Sequence, residues 1–592
     1  MQVTAYEIYR IPSLSGGMVG SVSARLVDQT KGFSVMFKNF DPSMMGLPVK
    51  RPAYTKLPGY SLSGKLTGLH YFNKLSDSKN YMIVSHGSTV TAFDMFEDET
   101  ITIESSVEEN KPVYFATAAD QVVYTNGEDT LRSWDGTTLK QDLGSRKASM
   151  RTYLLHADND LEYTAKEAGK TFIKVQYVKA KSKTNKTTVK VSGSGTEEKP
   201  RLILVNLAWN NDGILSTAAQ VRTAVTNHAT AGNLVSVEHV SDSDGSREVT
   251  EMPERMLTGG FDAVKGKYLI EYRTRAVVAD GNKLLLSHTG DPHLWSPGAP
   301  ESNSVELFVS PDDGEPITGL LNMGDGGILI GKPSTLYGLF GYKRDNFVVD
   351  MIDPTVGVSS HRSMAYARPY AYWVHRSAVY RSQPGATPER ISFAIQELLD
   401  EQVDLRRIEE ATAFIYNRLY VVSLPVHEGG YATYCFHIDQ ESWGLWTPPA
   451  GVVDWTTQEN TFYLATTDQG ITRLDPGVLS DDPGGIIDSE ITTVELDLGL
   501  MEQEKDIGDL YLVFRGTGES LYVNIKLFFD GSTEPDRVYD NVEISGNTGK
   551  QVVLRIPVGR TARFMQVSIT DDREQQLTPM ALSYTYQIKD VV

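Results

Sequence analysis

Cysteine is almost missing from this chain: Cys435 is the single one in 592 residues. One thiol excludes an internal disulfide framework and any cysteine-cluster metal site. It sits in the apolar run TYCFHI and reads as a buried, inert thiol. Apolar runs are short, as in LILV and GILI, well below the ~18 residues that span a bilayer. The opening MQVTAYEIYR lacks a basic stretch followed by an apolar core. No signal peptide is therefore expected, and a soluble chain made in a reducing compartment is.

Positive charge is in deficit. Lys and Arg number 56 against 76 Asp and Glu, a net charge of −20. Holding DNA by phosphate neutralisation needs clustered Lys and Arg, so it is not expected here. The one locally basic stretch, KAKSKTNK at 179–186, reads as the solvated flank of a hairpin. An acidic surface does suit a conduit along which DNA slides without sticking. Carboxylates repel phosphates over a Debye length of ~8–10 Å, so an inner wall rich in Asp and Glu is the corresponding expectation.

Catalytic signatures are missing as well. There is no GxSxG elbow, no GxxxxGK[ST] loop and no strand-bound GxGxxG. None of the 11 histidines falls in HExxH or HxH spacing. His288, His293 and His361 fall at loop positions and read as polar turn residues. Ser310-Pro-Asp312-Asp-Gly314 matches the start of the Asp-box turn of sialidase-like propellers, but Glu315-Pro316-Ile317 departs from it, leaving a structural turn. Asp242, Asp244, Gly245 and Glu251 have calcium-loop spacing, yet position one would be Val240, which cannot ligate. Asp158 with Asp160, and Asp481 with Asp482, are carboxylate pairs in loops, with weak cation binding as the alternative. Met323-Gly-Asp-Gly-Gly lies inside a hairpin with no helix to receive a phosphate. No catalytic residue, cofactor site or metal site is assigned.

What the chain does have is a cadence. A strand, a tight turn, a second strand and a short aromatic strand recur from near Leu66, Val113, Arg275, Ile317, Ser363, Ala411 and Val452. Five of the six steps come to about 41 to 48 residues, the length of one four-stranded propeller blade. The long step, from Val113 to Arg275, encloses a segment of different character. There AAQVRTAVTNHA, capped by Ser216 or Thr217, reads as a helix among strands such as TFIKVQYVKA and PRLILVNLAW. A helical patch at 390–411 lies between blades five and six. After the linker Asp481-Asp-Pro-Gly-Gly485 come six to eight alternating strands. The expected organisation is an arm and loops at 1–60, a propeller of six to eight blades at 61–150 and 261–480, an inserted α/β domain at 151–260, and a β-sandwich at 486–592.

Several segments together resemble propeller-type tail proteins of short-tailed bacteriophages, the nozzle or hub proteins. They are KRPAYTKL (50–57), GLHYF, YFATAADQVVYTNGEDTLRSWDGTTL, GDPHLWS (290–296) and GEPITGLLNMGDGGILIGKPSTLYGL. The insert, from Tyr163-Thr-Ala through STAAQVRTAV to LTGG, resembles a module of phage structural proteins. VELDLG and RFMQVSIT resemble the sandwich that closes such chains. Ala53 stands where the family usually has Gly, so that turn is expected to differ. The resemblance implies a non-enzymatic virion subunit, assembled in the host cytoplasm and resident in the tail. Such a subunit forms a hexameric ring bounding the DNA exit channel, docked to an adaptor or portal and contacted by fibres or spikes. DNA would pass without sequence-specific binding. Two other readings stay open: a distal tail or receptor-binding protein recognising a surface glycan, and a glycan hydrolase with paired carboxylates ~5–9 Å apart in the propeller mouth.

Overall fold

Seven four-stranded antiparallel blades stand around one axis, six as separate sheets and one as part of a larger sheet. The computed structural model describes residues 6–20, 28–44, 47–60, 62–97, 99–154, 157–240, 243–295, 303–482, 484–498, 500–546 and 549–589. Six blades are continuous, at 66–104, 114–140, 268–308, 319–353, 365–390 and 412–446. The seventh takes three strands from 452–475 and its outermost strand from Ala53–Lys56. That strand pairs antiparallel with Ile471–Asp475, setting Tyr54 opposite Leu474. A chain segment from before blade one thus closes the ring through blade seven.

Six of the seven repeat starts read from the sequence fall within two residues of an innermost strand. The third does not: Arg275 begins the second strand of blade three, whose inner strand is Tyr268–Tyr272. The turn between these two strands, Arg273-Thr274, carries no Gly or Asn to mark it, yet both residues take positive φ. Asn417-Arg418 and Ala119-Asp120 do the same, the two-residue geometry whose twist matches that of the flanking strands. Aromatic side chains fill the wedges between blades. Tyr81 and Trp134 meet edge-on at 5.0 Å between blades one and two, and Tyr372 stacks on Tyr420 at 5.4 Å between five and six.

The first sixty residues, expected as arm and loops, supply strands to three parts of the fold. Glu7–Ile11 edges the sandwich, Ser34–Lys38 joins two sheets, and Ala53–Lys56 closes the propeller. Ser34–Lys38 lies between the outermost strand of blade six, Ser442–Trp446, and Ser489–Thr493 of the sandwich. The result is one nine-stranded sheet running from propeller into sandwich. The second sandwich sheet pairs Glu7–Ile11, Pro579–Ile588, Lys505–Arg515 and Gln551–Ala562. Between the two sheets Leu521, Val523, Ile525, Leu527 and Phe529 alternate inward, as one buried face requires.

The insert leaves after blade two and returns before blade three. It has a three-stranded sheet, a four-stranded mixed sheet and the helix Ala218–Thr226. Thr217 caps that helix, and Gln220 completes a capping box. The helix buries Ala218, Val221 and Val225. The patch between blades five and six contains the helix Gln396–Gln402 flanked by 3-10 turns; Ile395 and Leu399 are buried, while Leu405 is exposed. No helix among the described residues is long and apolar enough to cross a membrane.

Candidate functional site

The innermost strands of the blades ring an axis that is crossed by a plug near the end where those strands begin. The plug is the 3-10 turn His361–Ser363, which leads into blade five. Arg362 Nη2 donates to the Thr67 and Val113 carbonyls at 2.7 and 2.9 Å and pairs with Asp454 Oδ2 at 3.1 Å. One guanidinium from blade five thereby holds blades one, two and seven. Asp454 also accepts the Leu69 and Trp455 amides, both at 2.9 Å. Burial pushes its carboxyl above the usual range, against the pull of Arg362 and those two amides. His361 stacks on Tyr268 and meets Tyr114 edge-on, with ring centres 4.9 Å apart in each case. Its Nδ1 accepts the Leu320 amide at 3.1 Å. Burial, with Arg362 and Lys267 nearby, lowers the imidazole to about 3.

The plug leaves two cavities, and Tyr114 and Arg362 line both. The far one, about 430 Å³, contains His70, Glu271, Asn322 and Trp455. His70 bonds Thr117 Oγ1 at 2.8 Å, and burial lowers its pKa to about 4. The near one, about 380 Å³, opens where the inner strands begin. Lys65, Lys111, Lys267 and Arg362 face Glu128, Glu409 and Glu410 there, with Tyr114, Tyr268 and Tyr431 in the wall. Lys111 pairs with Glu128 at 2.9 Å and Lys267 with Glu409 at 3.7 Å. Glu410 accepts Arg407 Nη2 and the Tyr431 hydroxyl, both at 2.7 Å. Burial opposes ionisation of Glu410, yet these bonds hold its carboxyl below the usual range. Burial and then Glu410 push the Tyr431 hydroxyl up to about 12. The phenol is therefore held protonated at neutral pH.

The other residues singled out in the sequence are dispersed and structurally engaged. Asp313 holds the buried Lys332 at 2.7 Å, and Glu315 accepts the Ser334 hydroxyl, so the Asp-box-like segment is an anchoring turn. Asp160 pairs with Arg151 at 2.9 Å, and Asp158 with Arg247 at 3.4 Å. Asp244 caps Ser246, and Glu251 accepts the Lys179 amide; Asp242 lies outside the described residues. His288 bonds the Thr289 carbonyl, and His293 meets Ser133. Cys435 is fully buried, and burial pushes its thiol far up. At the basic hairpin, Lys179 and Lys183 each lie 5.9 Å from the Trp209 ring. Among the described residues no three His, Cys, Asp or Glu side chains converge to hold a metal.

Sequence reasoning missed the axial pair and a second buried cluster. Arg51 and Asp481 form a bidentate pair at 2.9 and 2.6 Å, and Asp481 also accepts the Tyr54 amide. Arg51 further donates to Asn39 Oδ1 and to the Thr447 carbonyl. Lys50 pairs with Asp571 at 2.9 Å with both side chains wholly buried, tying the closing segment to the sandwich. One signal was available: Asp454 is a lone acid in GVVDWTT, on an innermost strand.

No family model matches this chain, and no curated protein does. Among solved structures, BamB from Moraxella catarrhalis is 8% identical, with 80% of this chain and 97% of that one covered at a TM-score of 0.34. The propeller domain of Cps50 (Swd1) from Myceliophteria thermophila is also 8% identical, with 72% and 99% covered at 0.33. The computationally designed Ika8 protein is 10% identical, with 72% and 99% covered at 0.33. These likenesses are too distant to bear on function. The propeller assignment rests on the order of the sheets.

Proposed function

We infer that this protein is a structural subunit of a short-tailed bacteriophage tail, a nozzle or hub component that assembles into a ring around the DNA exit path. The observation that carries the reading is the fusion of propeller and sandwich through one continuous sheet, locked by buried ion pairs. A body of that kind suits a load-bearing ring. Its loops, the inserted domain and the sandwich then supply contacts to neighbouring copies, to an adaptor or portal, and to fibres. The resemblance of the turn-rich segments to tail proteins points the same way.

The plug sets a condition on this function. DNA does not run through the propeller's own axis, so the conduit lies between copies. The acidic-lining expectation therefore concerns surfaces that face a shared lumen. The reading assigns no catalytic residue. Mass photometry tests it, with the chain alone and mixed with its capsid-side adaptor. A mass near six copies of 65.5 kDa is expected in at least one condition, and monomers in both would overturn it.

A further inference from the structure

We propose that the near axial cavity binds a small carboxylate-bearing sugar. The inference is independent of the tail assignment, because a single chain carries the whole cavity.

Charge is the first argument. The chain as a whole is strongly acidic, yet four cationic side chains line this cavity beside three carboxylates, with Asp454 behind the wall as the partner of Arg362. The cations are also incompletely matched. Lys65 makes no close ion pair among the described residues, acting on Glu410 only at longer range, and Lys267 has the 3.7 Å contact with Glu409. Arg362 on the cavity floor keeps a buried Nε with no hydrogen-bond partner. Buried polar groups in folded proteins are nearly always satisfied, so this one N–H, on a guanidinium whose charge Asp454 already meets, is open to an acceptor oxygen.

Size and wall chemistry narrow the anion. About 380 Å³ lies within the range of small-molecule sites and is far more than a bare ion fills. Lys65 and Lys267 would take the carboxylate. Glu409 and Asn110 at the rim offer an acceptor and a donor to hydroxyl groups. Leu66, Pro112 and Val453 supply apolar surface for the C–H face of a ring. Alternating polar and apolar faces on one compact molecule describe a saccharide better than a lipid or a nucleobase.

Isothermal titration calorimetry on the full chain decides it, with N-acetylneuraminic acid and trigalacturonic acid as probes. Galactose and inorganic phosphate serve as the neutral and bare-anion comparisons. Saturable binding of at least one acidic sugar is expected, weakened tenfold or more in Lys65→Glu and in Lys267→Glu. Lys183→Glu, on the distant insert, should bind as the parent does. Both mouth variants change exposed lysines that make no bond to Arg362, and circular dichroism of each checks that it is folded. No saturable heat with either acidic sugar overturns the proposal. So does equal affinity for galactose or phosphate, or equal weakening in all three variants. A monomer that binds, or a ring that does not, separates this inference from the ring assignment.

Discussion

A guanidinium that reaches from blade five to carbonyls of blades one and two and to a carboxylate of blade seven acts as a cross-brace, and its neighbour His361 works through shape. The His361 ring is stacked on Tyr268, meets Tyr114 edge-on and accepts at Nδ1, so its protonation breaks the bond to the Leu320 amide and places charge beside Arg362 and Lys267. An unfolded histidine takes its proton near 6.5, whereas His361 does so near 3 and His70 near 4. Across that window the unfolded chain binds more protons, so stability rises with pH and is lost on acidification. Each histidine contributes a slope of up to about 1.4 kcal/mol per pH unit. Asp454 and Asp571 act in the opposite sense. Their folded values are raised by burial, so their contribution is present below the unfolded value and lost as pH rises through the folded one. Urea denaturation between pH 6.5 and 4.5 should therefore show falling stability, and His361→Asn should flatten the profile by about 1 kcal/mol per unit. A slope identical in the two proteins would remove His361 from the plug's energetics.

At the scale of elements, the closing strand Ala53–Lys56 has only four residues and owes its place to the clasp beside it. Arg51 and Asp481 are both buried, so removing one partner strands a charge. Asp481→Ala should cost about 3–5 kcal/mol and expose the Tyr54–Lys56 amides to hydrogen exchange, while Arg51→Met with Asp481→Ala should recover part of that loss. Unchanged protection at those amides would show that the clasp does not hold the strand. The sequence displayed the blades well, because each hairpin is local: inward-facing residues alternate and the turns fall between them. It displayed the closure poorly. Arg51 and Asp481 are 430 residues apart, and no periodicity reports a pairing across that distance. The first sixty residues also lack the repeat's cadence, so short strands among Pro and Gly read as loops. Blade three was entered one strand late because nothing in Arg273-Thr274 marks a turn. Of the axial site the sequence showed His361, read as a polar turn residue, and the lone acid Asp454, but not the pairing, since Arg362 lies 92 residues from Asp454.

At the scale of the molecule, propeller and sandwich are one body. The shared sheet joins them through backbone hydrogen bonds, and the buried Lys50–Asp571 pair adds a side-chain tie. Charge is distributed unevenly over this body. The stretch 151–260 holds 14 Lys and Arg against 13 Asp and Glu, so the −20 balance comes almost entirely from propeller and sandwich. Copies arranged with acidic surfaces inward and the near-neutral inserts elsewhere would give DNA a repelling wall, as the ring reading requires. Specific interfaces bury ~1,600 Å² or more in total, and the ring reading requires contacts of that size between copies. Class averages from electron microscopy of the assembled protein test this account most directly. It predicts a closed ring whose lumen lies between copies, with each propeller axis filled. Single particles under every condition, or rings whose only openings run through the propellers themselves, would contradict it.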